Sequence, residues 1–226
     1  MTNPSTIMFP VRSAASANPR PADPLISRVV PCYNEEASIG LFMGEANRVL
    51  AGHRVEFVFV NDGSRDNTLV VLMTLAENDT RVRIVNFTRN FGKEAALTAG
   101  LDHTRGDVVI PMDADLQDPF ETVLLFLDKW REGYDVVNGF RKDRATDTLA
   151  KRLTAKWFYS VFNTIADNPI PENVGDFRLL DARVVATLRA LPERSRFMKG
   201  LFAWIGYPTA QVSYVRPCRK AGEAKF

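Results

Sequence analysis

From Ile26 onward the chain alternates short apolar runs, polar turns and segments whose apolar residues recur every three to four positions. Ile26–Val30, Phe57–Val60, Val82–Phe87, Val108–Met112 and Val136–Val137 are short, mostly apolar runs rich in β-branched residues, as strands buried in a parallel sheet are. The segment after Asp118 puts Pro119 at a first helical position, Glu121 where it closes a capping box, and Phe120, Val123, Leu124 and Leu127 on one face, with Gly133 as the stop. Leu69, Leu72, Met73 and Ala76 repeat the spacing after Asp66, and Ala95, Ala96 and Ala99 mark a helix after Gly92. Alternating strands and helices predict an α/β fold: a mostly parallel, Rossmann-like sheet with right-handed crossovers and helices on both faces.

Beyond about residue 141 the rhythm gives way to a basic stretch, Arg141 to Lys156, a helical spacing from Trp157 to Ile165, and a loop holding Pro169 and Pro171. This half is expected to cap the sheet. Residues 1–25, with Pro4, Pro10, Pro19, Pro21 and Pro24 among Ser, Ala and Asn, read as a flexible arm without the apolar core of a secretory signal. The 226 residues are 46% hydrophobic and 25% charged, an ordinary globular balance that excludes wholesale disorder. A net charge of +2 demands no nucleic-acid partner. Cys32 and Cys218 form no CxxC or Cys/His cluster, so neither a zinc site nor a disulfide framework is indicated. No window reaches the about 18 consecutive apolar residues a spanning helix needs.

In open α/β sheets ligands bind beyond the carboxyl ends of the strands, and here each strand end is polar. The first four runs lead into PCYNEE (31–36), NDGS (61–64), TRNFGK (88–93) and DADLQD (113–118). Asp113 and Asp115 are two positions apart, so in extended chain they point the same way and repel unless a cation lies between them. Mg²⁺ takes one or two carboxylates plus phosphates and waters, which suits a diphosphate clamp with Gln117 as a further ligand and Ala114 leaving room for a nucleotide. An isolated DxD is more often a solvated acidic turn capping the helix after Asp118. Asp62 in NDGS is placed to accept hydrogen bonds from a base or ribose, although Asn-Asp-Gly is also plain turn chemistry. Asn34 is a natural N-cap, whereas Tyr33 and Glu35 are less easily explained as capping. GxGxxG and P-loop patterns are absent, which disfavours dinucleotide and P-loop chemistry. His53 and His103 lie at polar helix ends and are assigned no role.

PCYNEE, NDGSRDNT, RNFGKEAALTAGL, MDADLQDP, GDFRLLD and RFMKGLFAWIGY, in this order, resemble the family-2 inverting glycosyltransferases of GT-A fold. The resemblance is greatest to the polyprenyl-phosphate glycosyltransferases, the group that includes dolichol-phosphate mannose synthase and the bactoprenol glucosyltransferases. It runs from residue 26 to the end and implies a catalytic domain over 26–215 followed by a basic tail, 216–226. By motif, it implies that Pro31, Tyr33, Glu35, Val60 and Asp62 line the nucleoside pocket. Asp113, Ala114, Asp115 and Gln117 would hold metal, Mg²⁺ or Mn²⁺, and diphosphate. Arg141 would contact the donor diphosphate or acceptor phosphate, Arg219 and Lys225 the nucleotide phosphates, and Asp176 would sit near the reacting centre. Taken alone, Arg219 and Lys225 read as a solvated tail. The group usually continues through an amphipathic helix into transmembrane helices, so a chain ending at Phe226 is expected to keep the nucleotide site and to transfer poorly to long polyprenyl phosphate.

The implied reaction is inverting transfer of a sugar, glucose from UDP-glucose by the bacterial cast of the motifs, to undecaprenyl or another polyprenyl phosphate. The implied setting is the cytoplasmic face of the inner (plasma) membrane, with the full-length protein integral and this chain soluble or peripheral; a homo-oligomer is left open. A phosphate nucleophile carries about −1.5 to −2 charges near pH 7, so Asp176 reads as orienting before it reads as a general base. Phe197, Leu201, Trp204 and Ile205, beside Arg194, Arg196 and Lys199, suit an anionic membrane surface or equally a helix packed on the core. The alternatives are a soluble family-2 enzyme with a sugar-hydroxyl acceptor and a noncatalytic nucleotide-sugar-binding module.

Overall fold

All five apolar runs form strands: β1 (Ile26–Cys32), β2 (Val55–Asn61), β3 (Val82–Asn86), β4 (Val108–Pro111) and β5 (Val136–Arg141). The computed structural model describes residues 20–141, 174–191, 201–202 and 205–215. Among the described residues the strands are accompanied by the helices α1 (Glu36–Val49), α2 (Thr68–Asn78), α3 (Lys93–Asp102), α4 (Glu121–Arg131) and α5 (Ala182–Ala190). Two further strands, β6 (Val174–Asp181) and β7 (Thr209–Tyr214), correct the expectation that the chain beyond residue 141 only caps the sheet. The sheet order is β3-β2-β1-β4-β6-β5-β7. Only β6 runs against its neighbours, antiparallel to both β4 and β5; the other pairings are parallel.

Alternation along the strands divides the core. Ile26, Val30 and Cys32 face the helices α1, α2 and α4, where Phe42, Leu72, Phe120, Phe126 and Trp130 pack. Val29 faces the opposite layer with Leu97 and Leu101 of α3 and Val184, Val185 and Leu188 of α5. α3 lies so close to the sheet that a Cβ on Gly100 would come within 2.3 Å of Val29 Cγ1. α4 begins at Glu121 rather than Pro119, and the expected capping box does not form. Asp118 instead accepts from the Tyr214 hydroxyl at 3.0 Å, because β7 brings that ring over the turn. In α2, Leu72 is buried while Met73 is 52% exposed, so the expected stripe is narrower. His53 is half-buried and His103 is exposed at a helix end.

The polar loops after β1, β2 and β3 are tied to one another. Asn34 holds a φ of 55°, its N–H donates to Ser64 Oγ at 2.9 Å, and its Oδ1 accepts from the Arg65 N–H at 2.7 Å. The Glu35 N–H donates to Thr68 Oγ1 at 2.7 Å. Asn34 therefore clamps the neighbouring loop and does not cap α1. Gly63, at φ 64°, sits where a Cβ would meet the Arg89 backbone carbon at 2.3 Å, so the second and third loops touch backbone to backbone. Asp62 is wholly buried and accepts from the N–H groups of Phe91 at 2.7 Å and Gly92 at 2.9 Å.

Of the arm, Arg20 is anchored, correcting the expectation of flexibility at that point. Its guanidinium lies 4.8 Å from the Trp130 ring centroid and pairs with buried Asp135 at 2.8 Å. Residues 1–19 and 216–226 lie outside the described residues.

Gly100→Ala is expected to destabilise the protein by about 1–3 kcal/mol through overpacking. Gly44→Ala, where a Cβ meets nothing within 4 Å, should stabilise α1 by about 0.5–1 kcal/mol. Denaturant midpoints check both. Asp62→Ala removes the acceptor of two part-buried N–H groups and should cost about 1–2 kcal/mol. Tryptic cleavage after exposed Arg89 should accelerate in that variant more than global unfolding explains.

Candidate active site

At the carboxyl rim of the sheet three charged side chains converge. Lys93, the first residue of α3, places its Nζ 2.7 Å from Asp113 Oδ1 and 2.9 Å from Asp113 Oδ2, and 3.0 Å from Asp176 Oδ2. Asp113 follows the end of β4, whereas Asp176 lies near the start of β6. They meet because β6 is antiparallel, which sets its first residues beside the last residues of β4 and β5. Burial by itself would lower the Lys93 pKa; the carboxylates of Asp113 and Asp176 outweigh it and hold the ammonium well above its ordinary value.

Behind Asp176 stands Arg178, 3% exposed, with its guanidinium carbon 4.0 Å from the Phe202 ring centroid and Nη2 donating to the Gly175 carbonyl at 2.7 Å. Burial pushes its pKa down to about 10, against the opposing pull of Asp176 and Glu94. Positive and negative groups thus alternate along this face: Asp113, Lys93, Asp176, Arg178.

Arg141, at the end of β5, pairs in register with Tyr214 of β7. The Tyr214 hydroxyl is shared between the Arg141 guanidinium and Asp118, and burial followed by the Asp118 charge pushes its pKa up to about 12. Gly139 permits this approach, since a Cβ there would lie 2.9 Å from both Tyr214 Cε1 and the Phe177 carbonyl oxygen.

The other expected residues divide by exposure. Tyr33, Glu35, Asp113 and Gln117 are half-buried at the rim. Glu35 stands at the start of α1 and accepts from Ser38 Oγ at 2.7 Å. Pro31 and Val60 are register partners buried within the sheet, and Asp62 is wholly buried beneath the loops. Ala114, 3% exposed, packs into the core. Asp113 and Asp115 do not share an extended segment: Ala114 and Asp115 form a turn, Leu116 adopts φ 61°, and Asp115 Oδ1 accepts from the Gln117 N–H at 3.0 Å. Asp115 is 5% exposed, leaving Asp113 as the outward carboxylate. Arg219, Lys225, Arg194, Arg196, Lys199 and Cys218 lie outside the described residues.

Lys93, Arg178 and Tyr214 neighbour the expected residues and were given no individual role by the sequence, although Lys93 ends the polar TRNFGK cluster. Lys93 carried a signal: a cation at a helix N-terminus opposes the helix dipole and needs carboxylates to hold it. Among the described residues no group of three or more His, Cys, Asp or Glu side chains is arranged to hold a metal ion, and no helix is long and apolar enough to cross a membrane.

Residues 27–189 match the family described as Glycosyl transferase family 2. The chain is 51% identical over 203 residues to the bactoprenol glucosyl transferase of Shigella phage SfX, covering 89% of this chain and 67% of that protein. It is 49% identical to a prophage bactoprenol glucosyl transferase homolog of Escherichia coli, covering 89% and 66%. The chain therefore spans about two thirds of the length of these relatives. A mannosyltransferase of Pyrobaculum calidifontis, solved with GDP-Man and Mn²⁺, shares the fold at a TM-score of 0.60 and 21% identity, over 91% of this chain and 59% of that one. Glucosyl-3-phosphoglycerate synthase of Mycobacterium tuberculosis, solved with Mn²⁺, UDP and phosphoglyceric acid, does so at 0.59 and 24%, over 89% and 72%. The expected GT-A architecture is therefore present, and the chain belongs to glycosyl transferase family 2.

Proposed function

We propose that this domain transfers glucose from UDP-glucose to a polyprenyl phosphate such as undecaprenyl phosphate, with inversion, at the cytoplasmic face of a membrane. The observation that carries the chemical reading is the meeting of Asp113 and Asp176 on one cation at the carboxyl rim. The acceptor and sugar are supported by relatives at about half identity that are named bactoprenol glucosyl transferases.

The donor set fits a hard divalent ion, Mg²⁺ or Mn²⁺: Asp113 turns both carboxylate oxygens to a cationic partner at a strand end, with Asp115 and Gln117 in the following turn. Such an ion would neutralise the leaving diphosphate. Arg141, steadied by Tyr214 and Asp118, offers a guanidinium to a phosphate oxygen of donor or acceptor. Tyr33 and Glu35, at the rim above the buried floor of Pro31 and Val60, are assigned to the nucleoside, and Asp62 acts on it by fixing the Phe91–Gly92 backbone. Arg219 and Lys225 retain the phosphate-binding role the family resemblance implies. Asp176, held by Lys93, orients the acceptor phosphate, which arrives already ionised and needs no strong base.

Incubating the protein with UDP-glucose, Mn²⁺ and short-chain polyprenyl phosphate should yield a glucosylated lipid phosphate. Transfer to sugar hydroxyls alone would favour the soluble-acceptor alternative. UDP affinity, measured by calorimetry, should fall by about tenfold or more with EDTA and in Asp115→Asn; equal affinity in both would remove the metal clamp. Asp176→Asn should leave UDP affinity within about twofold and lower turnover by about 10²-fold, with residual transfer whose pH profile matches the wild type. Complete loss of transfer, beside a wild-type rate that follows a carboxylate titration, would make Asp176 a required base.

A further inference from the structure

The ammonium of Lys93 lies on the same two oxygens of Asp113 that a divalent ion would take, 2.7 and 2.9 Å away. An ion coordinated there at about 2.0–2.2 Å would stand only a few ångströms from the ammonium, within the range where like charges repel strongly at a partly buried site. Lys93 is not free to swing into solvent at no cost. Its side chain is 21% exposed, it starts a helix packed tightly on β1, and Asp176 holds it from the other side at 3.0 Å.

We infer that Lys93 is an internal counter-ion that competes with the divalent metal for Asp113, so that metal binds well only together with a nucleotide diphosphate. The diphosphate brings the negative charge that lets ammonium and metal coexist. Metal and nucleotide binding are then coupled, and the coupling runs through Lys93. The same ammonium would hold Asp176 in place through its 3.0 Å contact to Oδ2 if Asp113 were given over to a metal ion. This rests on the metal reading of Asp113 proposed above and adds an order to it.

The test is Mn²⁺ affinity, followed by the loss of its free-ion electron paramagnetic resonance signal, with and without UDP. For the wild type, UDP should tighten Mn²⁺ binding by about tenfold or more. In Lys93→Met, and in Lys93→Gln as a second variant whose polar end suits the rim, Mn²⁺ alone should bind about tenfold tighter than in the wild type, and the gain from UDP should shrink correspondingly. Lys93→Arg, which keeps the charge, should retain the coupling. Unchanged or weaker Mn²⁺ binding in both neutral variants, with normal UDP-dependent binding in the wild type, overturns the competition. Absence of Mn²⁺ binding in the wild type with UDP overturns the underlying metal reading instead, so the two failures are distinguishable.

Discussion

Because β6 runs against β4 and β5, its first residues lie beside their last ones, and residues far apart in sequence share one rim. Asp176 and Arg178 enter from a strand whose other face, through Phe177 and Leu179, is part of the main hydrophobic core. With a parallel β6 those polar residues would lie at the opposite end of the sheet, away from Asp113. The position of Asp176 therefore depends on strand direction, and strand direction is held by the burial of Phe177, Leu179 and Leu180 on both faces.

Burying charge at this rim is costly, and the arrangement offsets the cost by alternating sign. Lys93 lies between two carboxylates, and Arg178 feels Asp176 and Glu94. Each ion is desolvated next to one of opposite charge, which is the condition under which buried ions persist. Arg28 is the contrasting case. It is fully buried in β1, with its guanidinium carbon 4.9 Å from the Phe120 ring centroid and a contact to the Met112 sulfur, and burial pushes its pKa down to about 9. Asp118 is the opposing charge that favours its protonation, so the carboxylate that steadies Tyr214 on the site side also balances a cation inside the core.

The parallel half of the sheet was legible because β1, β2 and β4 are mostly apolar, despite Ser27 and Arg28 in β1 and Glu56 in β2, and each leads into a polar cluster. β6 was not, since Asp176 and Arg178 break the apolar pattern of GDFRLLD; a buried polar residue looks like an exposed one until its partners are known. β7 alternates polar and apolar residues as an edge strand does, and its signal, TAQVSY, is weak alone. At the site, motif reading named Asp113 and Asp176, which the structure brings together on Lys93, and gave no sign that Asp62, Val60, Pro31 and Ala114 are buried. Position after a strand indicates that a residue is near the rim, not which way it points, and the hydrogen bonds of Asp62 to a loop 29 and 30 residues later are long-range facts.

The interlocked loops fix the rim from below. A transferase must bring one anion towards another, and the groups that ease this gain their effect by being fixed before the substrates arrive. Asn34, Ser64, Thr68 and Asp62 spend their hydrogen bonds on the backbones of neighbouring loops. Gly63 lets two of those loops meet backbone to backbone, closer than any side chain would allow. The outcome is a rim in which Tyr33, Glu35, Lys93 and Asp113 project from loops and helix ends that are held in place from below. Acidic residues on such a rim can stand beside a diphosphate only if cations share the same rigid frame, and Lys93 and Arg141 are built into it by a helix start and a strand end.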